Sequence, residues 1–173
     1  MVKLHTLTVM GLALAVLNGE LGAMAQTGKI DYRQLEQALS SSQWEKANQI
    51  TSGMVLDLAG QKSRGYLIAT DTRNLPCEPL RKIDQLWVKY SKGQFGFSIQ
   101  GRIWGQIKGK NYEDSVRFEK QVGWQQQQTI FDQKTAPKGY LPLRPANSAG
   151  IRDAWGGGWI QEITQKLKSC RIL

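Results

Sequence analysis

Apolar positions recur at helical spacing in segment after segment of this chain, and the pattern predicts an all-α fold. Asp31 can cap a first helix, in which the run from Tyr32 to Leu39 carries Leu35, Ala38 and Leu39 on one face. Ser40 to Ser42 is a break. From Gln43 to Ala59 the stripe resumes through Trp44, Ala47, Ile50, Met54, Val55 and Leu58, and Gly60 ends it. Two helices joined by so short a link pack antiparallel, as a hairpin. Lys62 to Ala69 predicts another short helix, with a loop or capped turn beginning at Thr70-Asp71-Thr72, and Pro76 and Pro79 punctuate the next link. Leu80 to Tyr90 is helical by the spacing of Leu80, Ile83, Leu86, Trp87 and Tyr90, until Ser91-Lys92-Gly93 stops it. Phe95 to Ile107 carries Phe97, Ile99, Ile103, Trp104 and Ile107, and Tyr112 to Val122 is amphipathic.

The segment from Gly123 to Gly150 has a different character. It holds the polar run Gln125 to Gln128, the prolines Pro137, Pro142 and Pro145, and several glycines. A connection of that length inside a compact domain is functional or disordered. It leaves room for a short strand pair around Trp124 and Ile130–Phe131. Ile151 to Leu167 predicts a final helix, interrupted by Gly156-Gly157-Gly158. The expectation is a single compact domain of about seven helices with one long irregular loop.

The first residues stand apart. Lys3 and His5 give a short polar start, Leu7 to Leu17 is almost wholly apolar, and Ala23-Met24-Ala25 offers small residues on both sides of Met24. That is the pattern of a secretory signal peptide over residues 1–25, cut between Ala25 and Gln26, with the domain occupying residues 26–173. The expected location is therefore the periplasm or a thylakoid lumen; a buried N-terminal helix or a retained anchor is the competing reading. No Cys follows the apolar run, which argues against a lipoprotein anchor. No later stretch is apolar for the roughly 20 residues a membrane span needs.

Charge and composition narrow the functions. Removal of residues 1–25 takes away one base, Lys3, and one acid, Glu20, so the net charge stays at +9. A basic surface attracts anions such as nucleic acid, anionic lipid or the propionates of a porphyrin. The bases are scattered, with no arginine-rich arm, which argues against nucleic acid. The sole histidine is His5, within the predicted signal peptide. Without it the chain has no Ser-His-Asp or Cys-His catalysis and lacks the commonest ligand for zinc and haem iron. Cys77 and Cys170 cannot alone build a zinc site, and no Walker or Rossmann glycine pattern is present. These absences point away from an enzyme and from a resident metal. In an oxidising compartment Cys77 and Cys170 could pair, closing a long loop and stabilising the fold by roughly 2–4 kcal/mol. The alternative is a buried Cys77 with a free Cys170 thiol in a frayed tail.

The stretch from Pro76 to Trp104, PCEPLRKIDQLWVKYSKGQFGFSIQGRIW, resembles the central signature of the genomes-uncoupled-four (Gun-four) family. Supporting pieces lie in the right order on both sides: Asp31-Tyr32, Trp44 and Leu58-Ala59-Gly60 upstream, and Val122-Gly123-Trp124 and TAPKGYLPL (Thr135 to Leu143) downstream. The resemblance covers about Asp31 to Leu143. It implies an all-helical cupped hand that holds protoporphyrin or magnesium protoporphyrin in its palm, without a required cofactor. It also implies a setting in or near chlorophyll biosynthesis in an oxygenic phototroph.

A porphyrin is a flat apolar disc with two propionates on one edge, so its site needs aromatic and aliphatic walls and a few placed cations. By the resemblance, Thr72 falls where the family places a small β-branched cup residue. Leu75, Ile130 and Phe131 are candidate apolar walls. Arg144 and Arg152 are the candidate propionate partners, because Arg grips a carboxylate bidentately. Arg152 lies in a Gly150-Ile151-Arg152 element like the family's Gly-hydrophobic-Arg. The family's preceding Arg is missing from Ala146-Asn147-Ser148-Ala149, and its His before Leu-Pro is Tyr140 here. Trp87, Phe95, Phe97 and Trp104 are expected in the core. Family members activate magnesium chelatase on the cytoplasmic or stromal side, a partner that an exported protein would not meet. The functions in competition are thus an exported tetrapyrrole carrier or sensor, a regulator that activates magnesium chelatase, and a protein-interaction module that has lost the porphyrin.

Overall fold

The computed structural model describes residues 30–126, 128–145 and 158–173. Among them are seven helices and no strand: α1 Arg33–Ser40, α2 Trp44–Leu58, α3 Ala69–Arg73, α4 Cys77–Tyr90, α5 Phe97–Ile107, α6 Tyr112–Val122 and α7 Gly158–Ser169. The predicted signal peptide, the Gly150-Ile151-Arg152 element and the start of the last predicted helix lie outside the described residues. No described helix is long and apolar enough to cross a membrane.

The hairpin forms as its pattern predicts. The Asp31 carboxylate accepts from the Arg33 backbone N–H at 3.0 Å and from its guanidinium, satisfying a free donor at the start of α1. The same contacts hold the exposed Asp31 carboxyl down at about 2. Ser42, at φ 55, turns the chain, and α2 packs back along α1 with Trp44, Ala47, Thr51 and Val55 buried. Both helices lie on α4, whose Trp87 is fully buried and donates from Nε1 to Thr51 Oγ1 at 2.8 Å. Trp44, Trp87 and Phe95 form a cluster with ring centroids 5.4–6.3 Å apart.

On the other side, α5 packs against α7 and α6, and α3 lies on α7. The chain enters α5 through Gly96 at φ 133, where an added Cβ would meet Val88 Cγ2 at 2.9 Å, so only glycine fits. The buried Asp84 carboxylate accepts from Ser98 N–H at 2.8 Å, capping α5 from a neighbouring helix. Burial pushes its pKa up, and the backbone N–H groups of Ser98 and Phe97 pull in the opposite direction. α6 opens with a reciprocal cap. Asn111 Oδ1 accepts from Asp114 N–H at 3.0 Å, while the Asp114 carboxylate accepts from Asn111 N–H at 3.3 Å.

Three expectations are corrected. The helix expected over Lys62–Ala69 is instead a turn followed by extended chain through Leu67 and Ile68, and the helix runs from Ala69 to Arg73. Its start is set by the Asp71 carboxylate, which accepts from Ile68 N–H at 2.8 Å. Thr70-Asp71-Thr72 is therefore helical. α4 begins at Cys77, three residues before the expected Leu80, because Pro79 sits in a first turn that needs no proline N–H. Among the described residues no strand pair forms around Trp124 and Ile130–Phe131: the Trp124 N–H donates to Glu119 O at 2.7 Å, and the Ile130 N–H to the Tyr140 hydroxyl at 2.9 Å.

Cys77 and Cys170 are joined in a disulfide, with their Cα atoms 5.2 Å apart and 93 residues apart in sequence. It ties the start of α4 to the end of α7. Arg81 adds a second tie, donating from Nη1 to Arg171 O at 3.0 Å and from Nη2 to Cys170 O.

Candidate functional site

The long loop after α6 is pinned by polar side chains that replace a sheet's ladder. Gln94 Nε2 donates to Gln133 O and Ala136 O, both at 2.8 Å, and Gln133 Nε2 donates back to Ser91 O at 2.9 Å. The buried Gln100 donates to Gly139 O at 3.0 Å and Pro142 O at 2.8 Å. Trp124 Nε1 donates to Tyr140 O at 2.8 Å, and Ile130 N–H donates to the Tyr140 hydroxyl at 2.9 Å. Leu143 N–H donates to Asn48 Oδ1 on α2 at 2.7 Å. Gly139, at φ +81, lies where an added Cβ would stand 2.6 Å from Ile103 Cδ1. These ties bring the loop against α4, α5 and α2, and with it Phe131.

The result is an open cleft of about 690 Å³ at the start of α2. One wall is Ser42, Gln43, Trp44, Glu45, Lys46 and Gln49; Phe131 stands on the other. Trp44 is the edge of the core cluster, so this wall is rigid, while Gln43, Glu45, Lys46 and Gln49 are exposed.

The sequence-predicted site residues are distributed unevenly about this cleft. Phe131 lines it, and Ile130, the residue before it, is half-buried on the core. Thr72 and Leu75 stand in the core at 0% and 1% exposure and present no surface. Arg144 is not a free cation: its Nη1 lies 2.7 Å from Glu119 Oε1, and its guanidinium carbon is 5.8 Å from the centre of the Trp124 ring. Arg152 lies outside the described residues. Trp87, Phe95, Phe97 and Trp104 are buried. The sequence reading missed Gln43, Lys46 and Gln49. Their signal is a polar i, i+3, i+6 row running from the N-cap residue Gln43 into α2, which by itself looks like any solvated helix face.

A second feature lies between α2 and α3. Tyr66 and Ile68 point outward at 39% and 44% exposure, while Leu67 between them is buried. The segment is braced by Arg64, which pairs with Asp71, donates to Tyr66 O at 3.0 Å and lies 4.7 Å from the Tyr66 ring centre. Among the described residues no group of His, Cys, Asp and Glu side chains could hold a metal ion.

An all-helical scaffold with a pinned loop, an aromatic-walled cleft and a polar rim has the features of a small-molecule binding protein. The comparisons place it more narrowly. The GUN4-like family model matches residues 25–155, and the chain belongs to that family. It is 36% identical over 124 residues to the uncharacterized protein ycf53 of Porphyra purpurea, covering 66% of this chain and 50% of that protein. It is 33% identical over 92 residues to the chloroplastic tetrapyrrole-binding protein of Arabidopsis thaliana, covering 52% of this chain and 33% of that one. The chain spans about half or less of the length of these relatives. Its fold matches GUN4 of Chlamydomonas reinhardtii with a TM-score of 0.63 at 25% identity, over 83% of this chain and 91% of that one. Ligand-free GUN4 of Arabidopsis thaliana matches with the same score at 24% identity, over 80% and 91%.

Proposed function

We propose that this protein binds a tetrapyrrole, protoporphyrin or its magnesium complex, as a carrier or sensor, with one face of the ring against Phe131 in the cleft at the start of α2. The observation that carries this reading is the cleft itself, an aromatic wall facing a polar helix edge in a chain of the GUN4-like family. A planar apolar ligand gains most from an aromatic face that is already held in place, and the ties on the loop hold Phe131. The test is a titration of the purified protein with a soluble protoporphyrin analogue and its magnesium form, following Trp quenching and the Soret shift together. Trp44, in the cleft wall, is one of the six tryptophans whose quenching is read. Saturable binding is expected; no saturation at tens of micromolar (about −6 to −7 kcal/mol) contradicts the reading.

The same reading places the protein in the periplasm or a thylakoid lumen, with residues 1–25 removed. The signal-like N-terminus motivates it, and the Cys77–Cys170 disulfide supports it, since such bonds persist in oxidising compartments. Protein recovered from that compartment should begin at Gln26; protein that keeps Met1 in the cytoplasm contradicts export. Family membership favours one other reading, activation of magnesium chelatase, and that reading requires the cytoplasmic outcome.

A further inference from the structure

The segment Cys170–Leu173, which follows α7, is held by three separate contacts. Cys170 is bonded to Cys77 at the start of α4. Arg81, one turn further along α4, donates from Nη1 to Arg171 O at 3.0 Å and from Nη2 to Cys170 O. Leu173 fills a notch that glycine leaves on α5: a Cβ at Gly101 would stand 2.6 Å from Leu173 Cδ1 and 3.5 Å from Leu167 Cδ1. Between these contacts the backbone is strained. Arg171, at φ 54, takes the left-handed conformation in which helices usually end on glycine. There its N–H donates to Lys168 O at 3.0 Å, and Ile172 N–H donates to Leu167 O at 2.9 Å. A bulky residue keeps that conformation only while its surroundings hold it.

We propose that the Cys77–Cys170 bond is a reversible redox latch on this tail, opened by a dithiol donor and closed again by the donor's disulfide form. Cys77 is half-exposed while Cys170 is buried, so Cys77 Sγ is the sulfur open to attack. A donor thiolate bonds to it, the Cys77–Cys170 bond breaks, and Cys170 leaves as a thiolate that takes a proton from water. The donor's second thiol then loses its proton, closes the donor's own disulfide and expels Cys77. Cys77 leaves readily because it is the first residue of α4, where unpaired backbone N–H groups stabilise an anion. The donor is oxidised by two electrons, and the protein gains two electrons and two protons. The opened tail rests on Arg81 and Leu173 alone, and the strain at Arg171 favours fraying. Arg81 keeps Cys170 beside Cys77, which makes the step reversible.

The test treats the purified protein with dithiothreitol in native buffer, counting thiols by maleimide tagging and reading backbone opening by amide hydrogen exchange. Both thiols should appear without denaturant. Exchange at Arg171 and Ile172 should speed up about tenfold or more on reduction, while Ile103 and Trp104 on α5 keep their protection. Oxidised dithiothreitol should restore the bond and the slow exchange. Arg81→Ala should slow that closure about tenfold. The double variant Cys77→Ser, Cys170→Ser should exchange fast at the tail with or without reductant. A bond that survives dithiothreitol until urea is added overturns the latch. So does reduction that leaves tail exchange unchanged, or that exposes α5 together with the tail. Closure as fast in Arg81→Ala as in wild type overturns the role given to Arg81.

Discussion

Trp87→Ala should be the most damaging single substitution considered, lowering stability by about 3–5 kcal/mol in urea unfolding with little change in m. Trp87 is fully buried on α4 and reaches both the α1–α2 hairpin and the turn into α5. Its ring lies 6.2 Å from Trp44 and 6.3 Å from Phe95, and its Nε1–H satisfies the buried Thr51 hydroxyl at 2.8 Å. The substitution therefore opens a cavity among three elements and removes a buried hydrogen bond as well. Against a total stability of about 5–15 kcal/mol, such a loss takes the variant close to unfolding. Trp87→Phe keeps an aromatic ring and should lose markedly less. A loss under about 1 kcal/mol for Trp87→Ala would mean that the hairpin and α4 are held together elsewhere.

The disulfide carries the second large effect. Replacing both Cys77 and Cys170 with serine should lower stability by about 2–4 kcal/mol, because the bond closes a long loop in the unfolded chain. The 93-residue separation puts it toward the upper part of that range. The fold should survive, since Trp159, Ile160, Ile163 and Leu167 still bury α7 and Arg81 still holds the carbonyls of Cys170 and Arg171. A reductant should shift the wild-type urea midpoint down to that of the double variant and leave the variant unmoved. A wild-type midpoint indifferent to reductant, or two free thiols by non-reducing mass spectrometry, contradicts the bond.

Much of this architecture was legible in the sequence because helices are specified by local spacing. The stripe of α5 matches its observed face, with Phe97, Ile99, Ile103 and Trp104 buried, and that of α2 does so in part, with Trp44, Ala47 and Val55 buried and Ile50, Met54 and Leu58 half-buried. The misreadings came where two local patterns compete or where the partner is remote. Tyr66-Leu67-Ile68 fits a helical window, but it also alternates out, in, out, and the Asp71 cap on Ile68 N–H decides for extended chain before Ala69. Trp124 and Ile130–Phe131 have strand-like composition, yet Gln94 and Gln100 satisfy that loop from outside and the Tyr140 hydroxyl from within it, so no paired strand is needed.

The candidate site was less legible for the same reason. Phe131 was singled out as a wall, but the opposing Lys46 and Gln49 lie more than 80 residues earlier on a helix face that looks merely solvated. Arg144 has the right chemistry for a propionate, and only the fold reveals that Glu119 already occupies it. Conversely, Thr72 resembles a cup residue by position and Leu75 is a candidate apolar wall, and both are buried where α3 and the turn after it pack into the core.

The central claim is that a tetrapyrrole lies in the cleft between α2 and Phe131, and porphyrin titration of Phe131→Ala beside wild type tests it most directly. Phe131 is half-buried at the rim, so the variant should keep its fold, and its affinity should fall about tenfold or more as the ring loses its aromatic wall. Saturable binding that is equally tight in Phe131→Ala and wild type would contradict the account, and would move the ligand to another surface of the molecule.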